Sequence, residues 1–233
     1  MKIQCFYDLH CRDLWKNLVD MTSDKILFGG DYLDSFIHSN EEMLNNFADI
    51  IEFKKQNVDK VELLIGNHEI FPFGLDTFPC SGYRPEVHFI INELYQKNKK
   101  YFKIAYQYKN HLFTHAGLSE TVWGMYTNEV NKLPIDTFNG SYADWLNLAI
   151  DKASLMKILI IVGKLRGGKY RSGGVFWCDK AELYKDGLES NIIQYVGHTP
   201  IDDIFCYKEK EKEKYWFLDI FNKNPDKQVV FNL

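Results

Sequence analysis

The stretch Leu63-Leu64-Ile65-Gly66-Asn67-His68-Glu69 sets an amide, an imidazole and a carboxylate directly after a glycine-ended apolar run of strand length. A lone Asn-His-Glu after a strand is ordinary turn chemistry, but four other segments repeat the arrangement. Ile3 to Tyr7 is followed by Asp8-Leu9-His10, and Lys25 to Gly29 by Gly30-Asp31-Tyr32-Leu33-Asp34. His111 to Phe113 leads into Thr114-His115-Ala116-Gly117, and Ile192 to Val196 into Gly197-His198-Thr199-Pro200. Apolar runs that end in Asp, Asn and His describe buried strands carrying metal-ligand side chains to their carboxyl edge, where ligands sit in open α/β sheets. Hard oxygen donors mixed with imidazole, without a thiolate, suit Mn²⁺, Fe or Zn²⁺ rather than copper or an iron–sulfur cluster.

Strands alternating with helices must position these side chains, and 233 residues at 45% hydrophobic and 15% aromatic content suffice for one α/β domain. Between Asp8 and Asp31 there is room for one short helix, Arg12 to Met21, inside a β-α-β unit. Asn40 to Gln56 carries Met43, Leu44, Phe47, Ile50, Ile51 and Phe53 at mostly helical spacing, with Ser39 or Asn40 as a cap before Glu41 and Glu42. Ile70 to Pro85 reads as a loop packed by Phe71, Phe73, Phe78 and Tyr83, which also suits the wall of a cleft. Glu86 to Lys97 reads as a helix, and Tyr101 to Tyr108 with His111 to Thr114 as a hairpin about Lys109-Asn110 that presents His115.

Further helices are expected at Tyr142 to Ala149 and Lys152 to Val162, in a segment, residues 118–173, placed to cap the cleft and choose the substrate. Strands are expected over Asp203 to Tyr207, Tyr215 to Asp219 and Gln228 to Asn232, with the alternating Lys208 to Lys214 run as a solvated hairpin end.

The formal net charge of -4 gives no general surface for nucleic acid or anionic membrane. Cys5, Cys11, Cys80, Cys178 and Cys206 are odd in number and contain no C-x-x-C pair, so neither a disulfide framework nor a zinc knuckle is indicated, and a reducing cytoplasm fits. The opening residues lack the apolar core of an export signal, and Leu155 to Val162 falls well short of the ~20 residues a membrane-spanning helix needs. A soluble, cytoplasmic protein is expected.

The ordered set Asp-x-His, Gly-Asp-x-x-Asp, Gly-Asn-His-Glu, His-Ala-Gly and Gly-His-Thr, running from Asp8 to His198, resembles the calcineurin-like metallophosphoesterases. Trp177-Cys178-Asp179 resembles a segment of their phosphoprotein phosphatase branch. The resemblance implies an α/β sandwich of two mixed β-sheets flanked by helices, over a single domain at 1–233. It also implies two divalent metal ions, Mn²⁺ foremost, with Fe or Zn²⁺ as alternatives. Asp8 and His10 would hold the first ion, Asp31 would bridge both, and Asn67, His115 and His198 would hold the second. Two such cations polarise a bridging water to hydroxide and neutralise phosphoryl oxygens. His68 would protonate the leaving group, oriented by Asp34. His38, His88 and His111 match no motif and read as surface or packing residues.

The departures from the family pattern bear on the substrate. Where phosphoprotein phosphatases carry phosphate-clamping arginines, this chain has Ser35 and Ile65. Arg166 is the foremost substitute, with Arg171 and Arg84 behind it. Cys11 stands where a glycine commonly follows Asp-x-His and reads as inert packing. Pro200 replaces the second histidine of the Gly-His-x-His carried by the family's nucleases and phosphodiesterases, which favours phosphomonoester hydrolysis. A phosphoserine or phosphothreonine protein and a small phosphorylated molecule such as a dinucleoside polyphosphate both remain open as substrates. A non-catalytic scaffold is the third reading, and the complete ligand set argues against it.

Overall fold

Apolar strands joined by crossovers build two five-stranded mixed sheets. The computed structural model describes residues 1–76, 78–133 and 140–233, so residue 77 of the aromatic stretch and residues 134–139 of the expected cap lie outside the described residues. In the first sheet β1 (Lys2–Phe6), β2 (Lys25–Phe28), β3 (Val61–Leu64) and β4 (Phe102–Lys103) run parallel, and β10 (Val229–Asn232) pairs antiparallel with β1. The second sheet has the order β5 (Ala105–Tyr108), β6 (His111–Thr114), β7 (Ile193–Val196), β9 (Lys212–Phe217), β8 (Phe205–Glu209), with β6, β7 and β9 parallel. The two mixed sheets with flanking helices are the sandwich expected from the sequence.

One contiguous apolar core draws Phe6, Phe28 and Leu63 from the first sheet together with Phe113 and Tyr195 from the second. Tyr7, just past β1, donates its hydroxyl to Tyr195 O on β7 at 3.0 Å and so ties the carboxyl ends of the two sheets together. The central strands are therefore almost wholly apolar, as strands covered on both faces must be.

The long helix α2 (Asn40–Gln56) has the expected bounds, and Ser39 forms a capping box with Glu42. The expected helix over Arg12 to Met21 shrinks to α1 (Trp15–Leu18). The buried Gln4 of β1 ends it, donating to Leu18 O at 2.8 Å and accepting from Asp20 N at 2.7 Å. The expected strand Tyr101 to Tyr108 is likewise divided at Ile104, one half in each sheet. At the division Asn147 Oδ1 accepts from the N–H groups of Ile104 and Ala105 at 2.7 and 3.1 Å, replacing the ladder bonds that a change of sheet removes. Neither partner is close in sequence, so periodicity alone does not reveal them.

Two short helices are α3 (Asn67–Ile70) and α8 (Lys180–Asp186), and α4 (His88–Asn98) follows a 3₁₀ turn at Pro85–Val87. In the 118–173 segment, α5 (Glu120–Val130) packs on α7 (Ala153–Leu159), and α6 (Tyr142–Asn147) packs on β5 and β6. The Lys208 to Lys214 run forms the expected hairpin end, turning at Lys210 and Glu211 with φ of 48° and 64°. Among the described residues no helix is long and apolar enough to cross a membrane. All five cysteines are free thiols.

Glu62 is the one charge inside β3, and it accepts from Lys25 of β2 at 3.0 Å and Lys103 of β4 at 2.8 Å. Burial opposes its ionisation, but the two lysines outweigh burial and lower its pKa below the ordinary 4.5. A depressed carboxyl pKa gives stability that is complete above the unfolded value and lost as pH falls through the folded one. Glu62→Gln is expected to cost about 1–2 kcal/mol at pH 7. The deficit should shrink as pH falls below about 4.5, measured as urea unfolding of both proteins across pH 3–7.

Candidate metal centre

The backbone beyond the strand ends takes left-handed conformations at Asp8, His10, Asp31, Asp34 and His198, with φ between 44° and 64°. Non-glycine residues adopt this region rarely and at some cost, so five of them on one edge mark a site that surrounding contacts hold in place. Part of the holding is a zipper between the first two loops, in which the N–H groups of Asp8, His10 and Cys11 donate to the carbonyls of Gly30, Asp31 and Tyr32. Cys11 has φ 70°, which explains why a glycine suits its position, and its buried thiol is pushed up to about 12 by burial and then Asp34. Two glycines are bare for steric reasons. A Cβ on Gly66 would collide with the Asp31 carboxylate, and one on Gly197 with the Asp8 carboxylate.

Glu69 supplies the strongest of these restraints. It is fully buried, and its carboxylate accepts from Asp31 N at 2.7 Å, Gly66 N at 2.9 Å, Tyr32 N at 2.9 Å and Leu33 N at 3.2 Å. This glutamate is a clamp on the loop that carries Asp31 and Asp34. Its place in Gly-Asn-His-Glu, three residues after the glycine, is a helix-capping spacing that signals the role. Glu182 acts similarly on the 163–173 loop, accepting from Leu165 N at 3.0 Å and Gly173 N at 2.9 Å.

Asp31 occupies the middle of the cluster. Its Oδ2 lies 3.7 Å from His10 Nε2 and 3.9 Å from His68 Nε2, and its Oδ1 lies 3.5 Å from His115 Nε2. Two groups with metal-ligand spacing share it: His10, Asp31 and His68 on one side, Asp31, His115 and His198 on the other. His10 Nδ1 is within 3.1 Å of the carbonyls of Leu33 and Asp34, and His115 Nδ1 within 2.9 Å of Gly29 O. Donation of Nδ1–H to those carbonyls leaves Nε2 as the free lone pair, aimed inward. Asn67 Oδ1 is 2.9 Å from both His115 Nε2 and His198 Nδ1, so these three atoms converge. Cys80, for which the sequence offered no signal, fixes the direction of that amide: Asn67 Nδ2 donates to Cys80 Sγ at 3.4 Å, and the thiol donates to Asn67 O at 3.1 Å.

Burial lowers the pKa values of His10, His115 and His198, the direction that favours the neutral imidazole a metal ligand must be. Burial would lower His68 too, but Asp31 and the hydrogen-bonded Asp34, 2.9 Å from His68 Nδ1, outweigh it and push His68 up to about 9. Asp8 is raised well above its ordinary value by burial and by the charges of Asp219 and Asp31. Asp219, two residues past β9 and also missed by the sequence reading, is pushed up to about 7 by burial and Asp31, and its buried Oδ1 has no hydrogen-bond partner. Carboxylates crowded together in a buried place call for compensating positive charge, and the convergent oxygen and imidazole donors fit divalent cations.

The sequence-derived donor residues and His68 with Asp34 are thus brought together, with two qualifications of geometry. Asp8 lies beside the cluster, with both carboxylate oxygens on His198 N at 3.1 and 3.0 Å, and belongs to neither group of converging donors. His68 falls within ligand spacing of His10 and Asp31, although its Nδ1 faces Asp34.

Among the arginines, Arg166 reaches the edge of the cluster. It donates from Nη2 to Thr199 Oγ1 at 2.9 Å and His198 O at 3.3 Å, with Nε 2.9 Å from Asp179 Oδ2. Arg171 is not brought in: it is exposed, lies 3.7 Å from Asp186 and lines a separate cavity with Glu120 and Tyr215. Arg84 is committed to Asn40 Oδ1 and to the carbonyls of Ser35 and His38. His111 meets the Tyr195 hydroxyl, His88 sits among Phe71, Tyr83 and Phe89, and His38 lies 4.0 Å from Glu42, all outside the cluster.

The family model described as calcineurin-like phosphoesterase matches residues 5–230. Among solved structures, a cold-active protein-tyrosine phosphatase of a psychrophilic Shewanella species is similar at TM-score 0.60 and 18% identity, over 98% of this chain and 74% of that one. A protein serine/threonine phosphatase of Saccharomyces cerevisiae, described as similar to human phosphatase PP5, is similar at TM-score 0.53 and 14% identity, over 94% and 66%. These two likenesses carry the fold. A search of the curated proteins found no match.

Replacing Glu69 by glutamine puts an amide NH₂ against backbone N–H donors while keeping the side chain's size. Glu69→Gln is expected to lower stability by about 2–4 kcal/mol, read as a shift in the urea midpoint at unchanged slope. A shift within about 0.5 kcal/mol would mean that the four bonds are not a restraint.

Proposed function

The chain belongs to the calcineurin-like phosphoesterases, metal-dependent hydrolases of phosphoesters, and from that premise we propose that it cleaves phosphomonoesters at a dinuclear centre, in the manner of serine/threonine protein phosphatases. The observation that carries the reading is the single Asp31 carboxylate shared by two convergent groups of donors. Asp8 and His10 would hold one cation, Asp31 both, and Asn67, His115 and His198 the other. Cations bound there would supply a nucleophile drawn from water and neutralise the phosphoryl oxygens, and Mn²⁺, with Fe or Zn²⁺ as alternatives, suits the donors.

The chain's own residues do the rest. His68 holds a proton at Nε2 for the departing oxygen, and Asp34 on its Nδ1 keeps the ring oriented and charged. Arg166 binds phosphate oxygens from the His198 side; its approach to His198 and Thr199 supports that role. The same approach supports residues 118–173 as a cap within a single domain, because Arg166 comes from that segment. Pro200 supports monoester over diester cleavage, and five free thiols support a reducing, cytoplasmic location.

Hydrolysis of a chromogenic phosphate ester is expected to stop on chelation and return with Mn²⁺. His68→Asn should then retain metal, measured by elemental analysis, while slowing turnover by roughly 10²–10⁴-fold on alkyl phosphates. The loss should be far smaller on nitrophenyl phosphate, whose leaving group needs no proton. Metal loss, or equal slowing on both esters, would make His68 a ligand.

For Arg166→Ala the expectation is a fall in kcat/KM of about 1.5–3 kcal/mol, the value of a hydrogen bond to a charged group, with weaker inhibition by phosphate and unchanged metal content. Arg171→Ala serves as the comparison. An unchanged inhibition constant in Arg166→Ala would remove that residue from the phosphate site.

A further inference from the structure

A cleft of about 540 Å³ opens between α4 and α7 and shares no residue with the two donor groups of the metal centre. Its apolar walls are Phe73, Tyr95, Ile150, Met156 and Ile160. Phe73 lies on the turn that continues α3, its N–H donating to Glu69 O at 2.9 Å, and its ring stacks on that of Tyr95 with centroids 3.9 Å apart. Ile150 comes from the 3₁₀ turn at Leu148–Asp151, Met156 from α7 and Ile160 from the residue that ends it. The volume falls among those of small-molecule sites, and the lining has their make-up, mostly apolar with a few polar groups.

Two of those polar groups are unanswered within the described residues. The Tyr95 hydroxyl is buried in the wall without a hydrogen-bond partner, which buried hydroxyls ordinarily have. At the rim Lys99 is committed to Asp151 at 2.6 Å and Asp76 is likewise engaged, whereas Lys157 is exposed and forms no ion pair among the described residues. We propose that the cleft binds a small aromatic carboxylate, with its ring against the apolar walls and its anionic head at Lys157. The stacked rings and the Met156 thioether favour an aromatic body. The unpaired ammonium selects a negative head over a neutral or cationic one, and an oxygen acceptor on the ligand suits the unpaired hydroxyl. Because the cleft has its own residues, the inference does not depend on the phosphomonoesterase reading.

The experiment titrates naphthoate into the Mn²⁺-loaded protein by calorimetry, with and without inorganic phosphate, beside neutral naphthylmethanol and cationic naphthylmethylamine. Naphthoate is expected to bind about threefold or more tightly than the alcohol, the worth of an exposed ion pair, and within about twofold of the same affinity when phosphate is present. Lys157→Glu should abolish the preference for the acid and leave binding of the alcohol within about twofold. Ala153→Phe, at an exposed position of α7 that lines the cleft, should weaken both by about tenfold or more by filling the space. Displacement of naphthoate by phosphate would move it to the metal centre and overturn the proposal. So would equal binding of the three probes, or affinities that neither variant changes. A dimer in sedimentation that Ala153→Phe dissociates and naphthoate does not would give the cleft to a second copy of the chain instead. Should Ala153→Phe fail to fold, the surface variant Lys157→Glu decides alone.

Discussion

The structure depends on concentrating negative charge where there is little water to receive it. Asp8, Asp31 and Asp219 are buried at one edge of the sandwich, where the charge of Asp31 raises the cost of ionising the other two, yet the loops hold Asp31 beside His68, whose proton favours its charge. Burial opposes Asp31's charge, and positive charge on the imidazoles around it, when they are protonated, favours it. Such an edge calls for compensating positive charge. The local peculiarities follow from the crowding. Asp8, His10, Asp31, Asp34 and His198 accept left-handed backbone, and Gly66 and Gly197 leave room for carboxylates where a side chain would stand.

Holding that arrangement falls to carboxylates of a second kind. Glu69 and Glu182 bind backbone N–H groups rather than facing the cluster, and each sets the path of a loop: the one bearing Asp31 and Asp34, and the one bearing Arg166. Buried carboxyl groups saturated with N–H donors act as restraints, whereas those facing one another concentrate charge. The two roles are chemically identical in sequence and differ only in which atoms surround them. Tyr7 adds the tie between the sheets, so that donors from β1, β2 and β3 meet those from β6 and β7.

The rim of the centre contrasts with its interior in charge. Positive charge at the rim is already engaged: Arg12 donates to Leu9 O and Asn222 Oδ1, Arg166 is bound to Thr199 and Asp179, and Arg84 to loop carbonyls.

Apolar runs ending in Asp, Asn and His determined, from the sequence alone, the strands, their carboxyl edge and the donor types, because burial and period act locally and the chemistry is carried by residue identity. Helix α2 and its Ser39 cap were legible for the same reason. Only the tertiary structure decided the shortening of α1 by Gln4, the division of a strand between sheets at Ile104 by Asn147, and the failure of Arg171 to reach the site. It also decided that Glu69 is a clamp, that Cys80 turns the Asn67 amide and that Asp219 joins the charge cluster. Each of these rests on a contact between distant segments, and hydrogen bonding and Coulomb energy depend on separation in space, which no spacing along the chain records.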